Sequence, residues 1–186
     1  AEMTKILENI HRAVNIGLVN ELKIVADKMD IDIFEVIAAA STKPFGYTPF
    51  YPGPGLGGHC IPIDPFYLTW KAKQYGINTE FIELAGKVNT EMPNWIIKKL
   101  KHVLKQNNKD IKNSKILVLG LAYKKNIDDL RESPSLELIR LLSEIDVQSD
   151  YHDFYIHELH HTRKYSFEKK SIDLKKSISN YDLVIL

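Results

Sequence analysis

The residues best suited to chemistry lie in one stretch, Phe50-Tyr51-Pro52-Gly53-Pro54-Gly55-Leu56-Gly57-Gly58-His59-Cys60-Ile61-Pro62-Ile63-Asp64-Pro65. It holds the single cysteine of the chain, Cys60. A thiol becomes a nucleophile when a nearby base or positive charge favours its thiolate. The glycines before it let backbone amides approach a ligand closely. His59 is adjacent in sequence, but neighbours on an extended chain point apart, so it need not be the base of Cys60. A lone cysteine is more often a small buried apolar residue; the glycine and proline setting argues for the reactive role. Asp64, four positions on, offers a carboxylate for proton transfer. Near the start of the chain Lys5 and Asn9 stand four apart, which puts a cation and an amide donor on one helix face. Such a pair suits an oxygen that gains negative charge, and equally an ordinary exposed helix surface.

Two other patterns invite a functional reading and do not sustain it. Gly53-Pro54-Gly55-Leu56-Gly57-Gly58 has the spacing G-x-G-x-x-G, which signals dinucleotide binding only after a strand and at the opening of a helix. No strand pattern precedes Gly53, and Pro54 and Pro62 do not suit a helix start there. Gly120-Leu121-Ala122 does follow a strand pattern but lacks the later glycines. His152, His157, His160 and His161 cluster without the regular spacing of metal ligands, and no metal site is expected.

The elements that must position these groups follow from periodicity. Apolar residues from Ile6 to Val25 recur at three- and four-residue steps, predicting one helix over 2–29. Its apolar surface is wider than one stripe, which a subunit interface would explain. A second helix is expected near 32–41 with Asp32 as its cap. Residues 43–66 read as a long loop, a feature that is uncommon and usually functional. Helices resume near 66–75 and 79–106, with Pro93 marking a break or a new start in the latter. Polar residues 107–114 read as a boundary. Beyond it, strands at 115–120, 147–151 and 182–186 and a helix at 134–144 suggest a parallel α/β sheet. The expected fold is thus mixed α and α/β: an all-helical domain over 1–106 with the cysteine loop at 43–66, then a Rossmann-like domain over 114–186.

Composition excludes several classes. The 186 residues carry a formal net charge of +1, from 25 basic and 24 acidic side chains, so no strong field recruits nucleic acid or an anionic membrane. One cysteine allows no disulfide framework and suits a reducing cytoplasm. The chain begins with Ala1 and closes on Asp182-Leu183-Val184-Ile185-Leu186, a strand pattern at the chain's edge, and reads as part of a longer protein.

Four ordered segments carry a resemblance to the UDP-glucose/GDP-mannose dehydrogenase family, in particular to its branch acting on UDP-N-acetylhexosamines. Gly55-x-Gly57-Gly58-His59-Cys60-Ile61-Pro62-x-Asp64-Pro65 resembles the active-site segment. Ala1-Glu2-Met3-Thr4-Lys5 through Asn9 resembles the start of the central helix. Thr42-Lys43-Pro44-Phe45-Gly46 resembles the lead into the active-site loop. Gly120-Leu121-Ala122-Tyr123-Lys124 with Asp128-Asp129-Leu130-Arg131-Glu132-Ser133-Pro134 resembles the signature of the UDP-binding domain. The resemblance implies oxidation of a sugar C6 alcohol to a carboxylate in two hydride steps with NAD. It makes Cys60 the catalytic nucleophile through a thiohemiacetal and thioester, with Lys5, Asn9 and Asp64 as catalytic partners. It assigns Phe50, Tyr51, Gly53 and Gly57 to substrate contacts, and Lys124 and Arg131 to holding the nucleotide sugar and closing the site. It implies a UDP-sugar substrate, UDP-N-acetylglucosamine first, a homodimer through the long helix, a cytoplasmic location, and an NAD-binding domain in a part of the protein outside these residues, so that the 186 residues alone are expected to be inactive. His59 stands where UDP-glucose enzymes have a small or aromatic residue, which argues against UDP-glucose.

Overall fold

The computed structural model describes residues 2–58, 60–161 and 164–186; the expectation attached to His59 lies outside them. The chain divides into two compact units, Ala1–Met92 and Pro93–Leu186. It is helical with a small parallel sheet, the mixed architecture its periodicities predict. Among the described residues, no helix is long and apolar enough to cross a membrane.

The first unit is built on α1 (Glu2–Lys28), α2 (Ile33–Ala40), α3 (Asp64–Lys73) and the start of α4 (Glu80–Gln106). Asp32 caps α2 by accepting the amide of Phe34 at 2.8 Å, as its residue type favours. α3 starts earlier than its apolar positions suggest, at Asp64, because Pro65 sits in the first turn, where a missing N–H costs nothing. The side chains that α1 buries are small or polar: Asn9, Ala13, Gly17 and Asn20, with Val19 and Ala26. Several of its large apolar residues, Leu7, Leu18, Leu22 and Val25, are exposed, while Ile6, Ile10, Ile16 and Ile24 are half-buried. Gly17 explains the inversion. A methyl group there would lie 3.3 Å from the backbone and Cβ of Ala85 on α4, so the two helices approach at a distance only small residues allow. A small cluster of Ala26, Ile33 and Ile37 fixes α2 against α1.

Pro93 neither breaks nor restarts a helix, contrary to expectation: α4 runs through it. An interior proline costs roughly 3 kcal/mol. Burial of Met92 just before it, and of Ile97, Leu100 and Leu104 after it, holds the flanking turns helical against that cost.

In the second unit β1 (Lys115–Leu119) is followed by α5 (Pro134–Glu144), β2 (Gln148–His152), a short antiparallel pair β3 (Glu158–Leu159) and β4 (Lys169–Lys170), α6 (Leu174–Ser177) and β5 (Leu183–Ile185). The main sheet has the order β2-β1-β5 and is parallel throughout. The direction of winding therefore reverses at β1, the place where open α/β sheets leave a crevice at the carboxyl ends of their strands. Leu136, Leu138, Ile139 and Leu142 of α5 are all buried, packed with Ile116 and Val118 of β1 and Tyr151 of β2. Strands this buried read as continuous apolar runs, which is why Ile116-Leu117-Val118-Leu119 is legible. The two-residue strands β3 and β4 and the four-residue α6 lie below the length at which periodicity carries information.

Candidate functional site

The first cluster is set by α1 and by the turn that leads into α3. Cys60 is exposed. Its carbonyl accepts the amides of Ile63 at 3.2 Å and Asp64 at 2.8 Å, so the chain already turns helically before α3 begins, and Cys60 stands one turn ahead of Asp64. The Asn9 amide donates to the Asp64 carboxylate at 2.6 Å, and Asn9 is 1% exposed. Two residues 55 positions apart in the chain are thus brought into direct contact, with the cysteine one turn away. Lys5 lies one turn before Asn9 on α1 and bonds Glu8 at 3.2 Å. Lys5, first, and Arg12 hold the Glu8 carboxyl below its ordinary pKa. Arg12 also donates to Asn9 Oδ1 at 3.4 Å.

The loop before Cys60 lies along α1. Phe50 meets His11 edge-to-face at 5.6 Å. Tyr51 is exposed. The Gly53 amide donates to Asn20 Oδ1 at 2.9 Å. Gly57 is half-buried and Gly58 buried; Gly58 has φ 85°, a conformation that a side chain would strain. Asn20 and Asn89 are missed by a reading of types and spacing. The one signal for them is a poor helix former at an inward-facing position, Ala13–Gly17–Asn20 on α1.

The second cluster lies in the other unit, at the carboxyl ends of β1 and β2. A pocket of about 390 Å³ is lined by Gly120, Lys124, Lys125, His152, Phe154 and Tyr155, among others. His152 packs edge-to-face on Phe154 at 5.1 Å. Lys124 and Lys125 bring two cationic side chains to the pocket lining. Arg131 is spread along Asp129, with Nε 3.0 and 2.9 Å from the two carboxylate oxygens, which holds the Asp129 carboxyl below its ordinary pKa.

Asp153, the residue after β2, decides whether this unit could hold a dinucleotide. In dinucleotide-binding units an acid at this place takes a ribose hydroxyl, and the glycine turn opens directly into a helix. Here the Asp153 carboxylate accepts the amides of Leu121 at 2.7 Å, Tyr155 at 2.8 Å and Ile156 at 3.1 Å. Burial alone would push its carboxyl up; those backbone bonds outweigh it and hold the group below the ordinary aspartate value. Residues 121–133 separate Gly120 from α5. Gly53–Gly58 is not preceded by a strand. The described residues do not fit NAD at either glycine motif. No group of three or more His, Cys, Asp or Glu among them is arranged to hold a metal ion.

Residues 1–91 match the central domain of the UDP-glucose/GDP-mannose dehydrogenase family, and residues 117–186 match its UDP binding domain. The chain belongs to this family. It is 43% identical over 145 residues to the UDP-N-acetyl-D-mannosamine dehydrogenase of Campylobacter jejuni, covering 77% of this chain and 34% of that protein. It is 36% identical over 156 residues to the UDP-N-acetyl-D-glucosamine 6-dehydrogenase of Pseudomonas aeruginosa, covering 84% and 36%. Among solved structures it resembles the UDP-D-ManNAc dehydrogenase of Pyrococcus horikoshii, with TM-score 0.79 and 35% identity over 88% of this chain and 38% of that one. It also resembles the NDP-N-acetyl-D-galactosaminuronic acid dehydrogenase of Methanosarcina mazei Go1, with TM-score 0.84 and 28% identity over 98% and 39%. The chain thus spans 34% and 36% of the length of the first two relatives. In the family's terms, the Cys60 cluster falls in the central domain and the Lys124 pocket in the UDP binding domain.

Proposed function

We propose that this chain is the central and nucleotide-binding part of an NAD-dependent nucleotide-sugar 6-dehydrogenase. Its substrate is a UDP-N-acetylhexosamine, UDP-N-acetylglucosamine first, whose C6 alcohol becomes a carboxylate for surface polysaccharide such as capsule. The observation that carries this reading is the contact of Asn9 with Asp64, one turn from the exposed thiol of Cys60. Two molecules of NAD, held in turn in a part of the whole protein beyond these residues, would each take one hydride from C6, so the 186 residues alone do not turn over.

The chain's own residues do the rest. The Cys60 thiolate adds to the C6 aldehyde carbon, forming a C–S bond that keeps the aldehyde from leaving. Asn9 and Lys5 stand on one face of α1 as donors for the oxygen that gains charge. Once C6 reaches the thioester level, water attacks, Asp64 takes its proton, and the C–S bond breaks to return the thiolate. On the other unit Lys124 supports the diphosphate as a cation at the pocket edge, while Arg131, spread along Asp129, assists in holding the nucleotide sugar. Phe50, Tyr51, Gly53 and Gly57 line the sugar's approach. The exposed Leu18, Leu22 and Val25 of α1 form the contact of a homodimer, and the enzyme works in the cytoplasm.

The greater identity to a UDP-N-acetyl-D-mannosamine dehydrogenase than to a UDP-N-acetyl-D-glucosamine 6-dehydrogenase, 43% against 36%, favours UDP-N-acetylmannosamine as a second reading of the substrate. The test is NADH formation by the whole protein with UDP-N-acetylglucosamine, in wild-type and Cys60→Ala forms. The expected result is roughly two NADH per sugar, one for each hydride the cofactor carries away, and loss of turnover in the variant. Activity on UDP-N-acetylmannosamine or UDP-glucose instead keeps the mechanism and changes the sugar. No NADH with any of them leaves a dimerising, UDP-binding module without catalysis as the better account.

A further inference from the structure

Asn9 and Asn20 stand eleven positions apart on α1, close to three turns at about 3.6 residues each, and therefore on one face, about 16 Å apart along the axis. Each is fully buried, at 1% and 0% exposure. Asn9 donates to Asp64 at the start of α3, and Asn20 accepts the amide of Gly53. The segment from Gly53 to Asp64, which carries Cys60, is thus tied to one helix face at both its ends by side-chain amides. Asn20 is itself held. Its Nδ2 donates to Asn89 Oδ1 at 2.8 Å, and Asn89 Nδ2 donates to the carbonyl of Ala13 at 2.9 Å. Asn89 is 2% exposed.

A buried amide with neither bond made would carry a desolvation cost. Here each amide bond also fixes the other's orientation. Asn89 is anchored on a helix carbonyl, so its Oδ1 must face Asn20; that turns Asn20 Nδ2 toward it and leaves Asn20 Oδ1 facing the loop. Nothing in helix packing alone requires an acceptor there, because a leucine would fill a similar volume in an apolar contact. We propose that Asn20, oriented by Asn89, is a positioning residue of the reaction: it sets the loop that carries Cys60 relative to Asn9 and Asp64. This rests on the function proposed above, and neither Asn20 nor Asn89 touches the reacting atoms.

The test needs no turnover. In the 186-residue protein, amide hydrogen exchange at Gly53 and the rate of Cys60 alkylation by iodoacetamide are compared for wild type, Asn20→Leu, Asn89→Leu and Ile37→Ala. The last lowers stability from the cluster that packs α2 against α1, none of whose residues lies in the loop. At a temperature where all are folded, Asn20→Leu should lose about tenfold of the protection at Gly53, the size expected for one lost hydrogen bond. Cys60 alkylation should change severalfold with it, Asn89→Leu should follow in the same direction, and Ile37→Ala should match wild type. Equal effects in Asn20→Leu and Ile37→Ala would mean general loosening and overturn the proposal. Free-peptide exchange at Gly53 in the wild type alone would also overturn it, even if Asn20→Leu does not fold. In the whole dehydrogenase, Asn20→Leu should lower kcat about tenfold more than Ile37→Ala does. Absence of NADH in the wild type sinks the catalytic reading while leaving the exchange result to stand or fall by itself.

Discussion

At the scale of single residues, the Cys60 cluster turns on the 2.6 Å hydrogen bond that Asn9 donates to Asp64. Cys60, Asp64, Lys5 and Asn9 are conspicuous by type and spacing, yet nothing in the chain order says that Asn9 meets Asp64. Asp153 shows the opposite case: an ordinary aspartate by sequence, it is the hub of three backbone bonds. Its pKa in the fold lies below its unfolded value, so its contribution to stability is present above about pH 4 and is lost as pH falls through the depressed folded value. Asp153→Asn places an amide N–H₂ toward backbone donors. Urea unfolding should show a loss of about 1–3 kcal/mol at neutral pH, as for a buried partner removed. The variant should also lose part of the wild-type protein's decline in stability below pH 4. An unchanged acid limb would show that Asp153 does not carry the linkage.

Elements were the most legible scale. Long helices and buried strands repeat their apolar pattern often enough to be read, whereas β3, β4 and α6 are too short to repeat anything. Pro93 departs from its sequence expectation because the local cost of proline is visible in sequence and the packing that overrides it is not. Two glycines in the helices of the first unit separate kinds of contact. At Gly17 a new Cβ would meet the backbone and Cβ of Ala85 at 3.3 Å, and at Gly86 it would meet the ring tip of Phe66 at 3.0 Å. Backbone cannot step aside, but the half-exposed Phe66 ring can turn away. Gly17→Val should therefore cost about 1–3 kcal/mol by overpacking. Gly86→Ala should be near neutral, since removing a helix-interior glycine recovers roughly 0.5–1 kcal/mol. Thermal melts that rank the two the other way would contradict this account of the α1–α4 approach.

At the scale of the whole molecule the notable feature is how much apolar surface the first unit leaves uncovered. Leu18, Leu22 and Val25 on α1 are 55%, 44% and 48% exposed, an arrangement that normally marks an interaction surface. If α1 pairs with a second copy, sedimentation should give a dimer for the wild type. Leu22→Glu should give monomer, because a charge in an apolar contact is unpaired and desolvated. A wild-type monomer at micromolar concentration would remove the homodimer from the proposal.

Chain order alone carries the long helices, the three strands of the main sheet and their parallel arrangement, and a short set of candidates for nucleophile, proton acceptor and oxyanion donor. These depend on local periodicity and residue chemistry, which chain order preserves. Contacts across the fold bring Asn9 to Asp64, Asn89 to Asn20, Asn20 to the amide of Gly53, and Asp153 to the amide of Leu121. Each is a contact between residues far apart in the chain. Which distant groups meet depends on close helix approach at Gly17 and on the winding of the strands about β1, and neither leaves a mark at a fixed spacing.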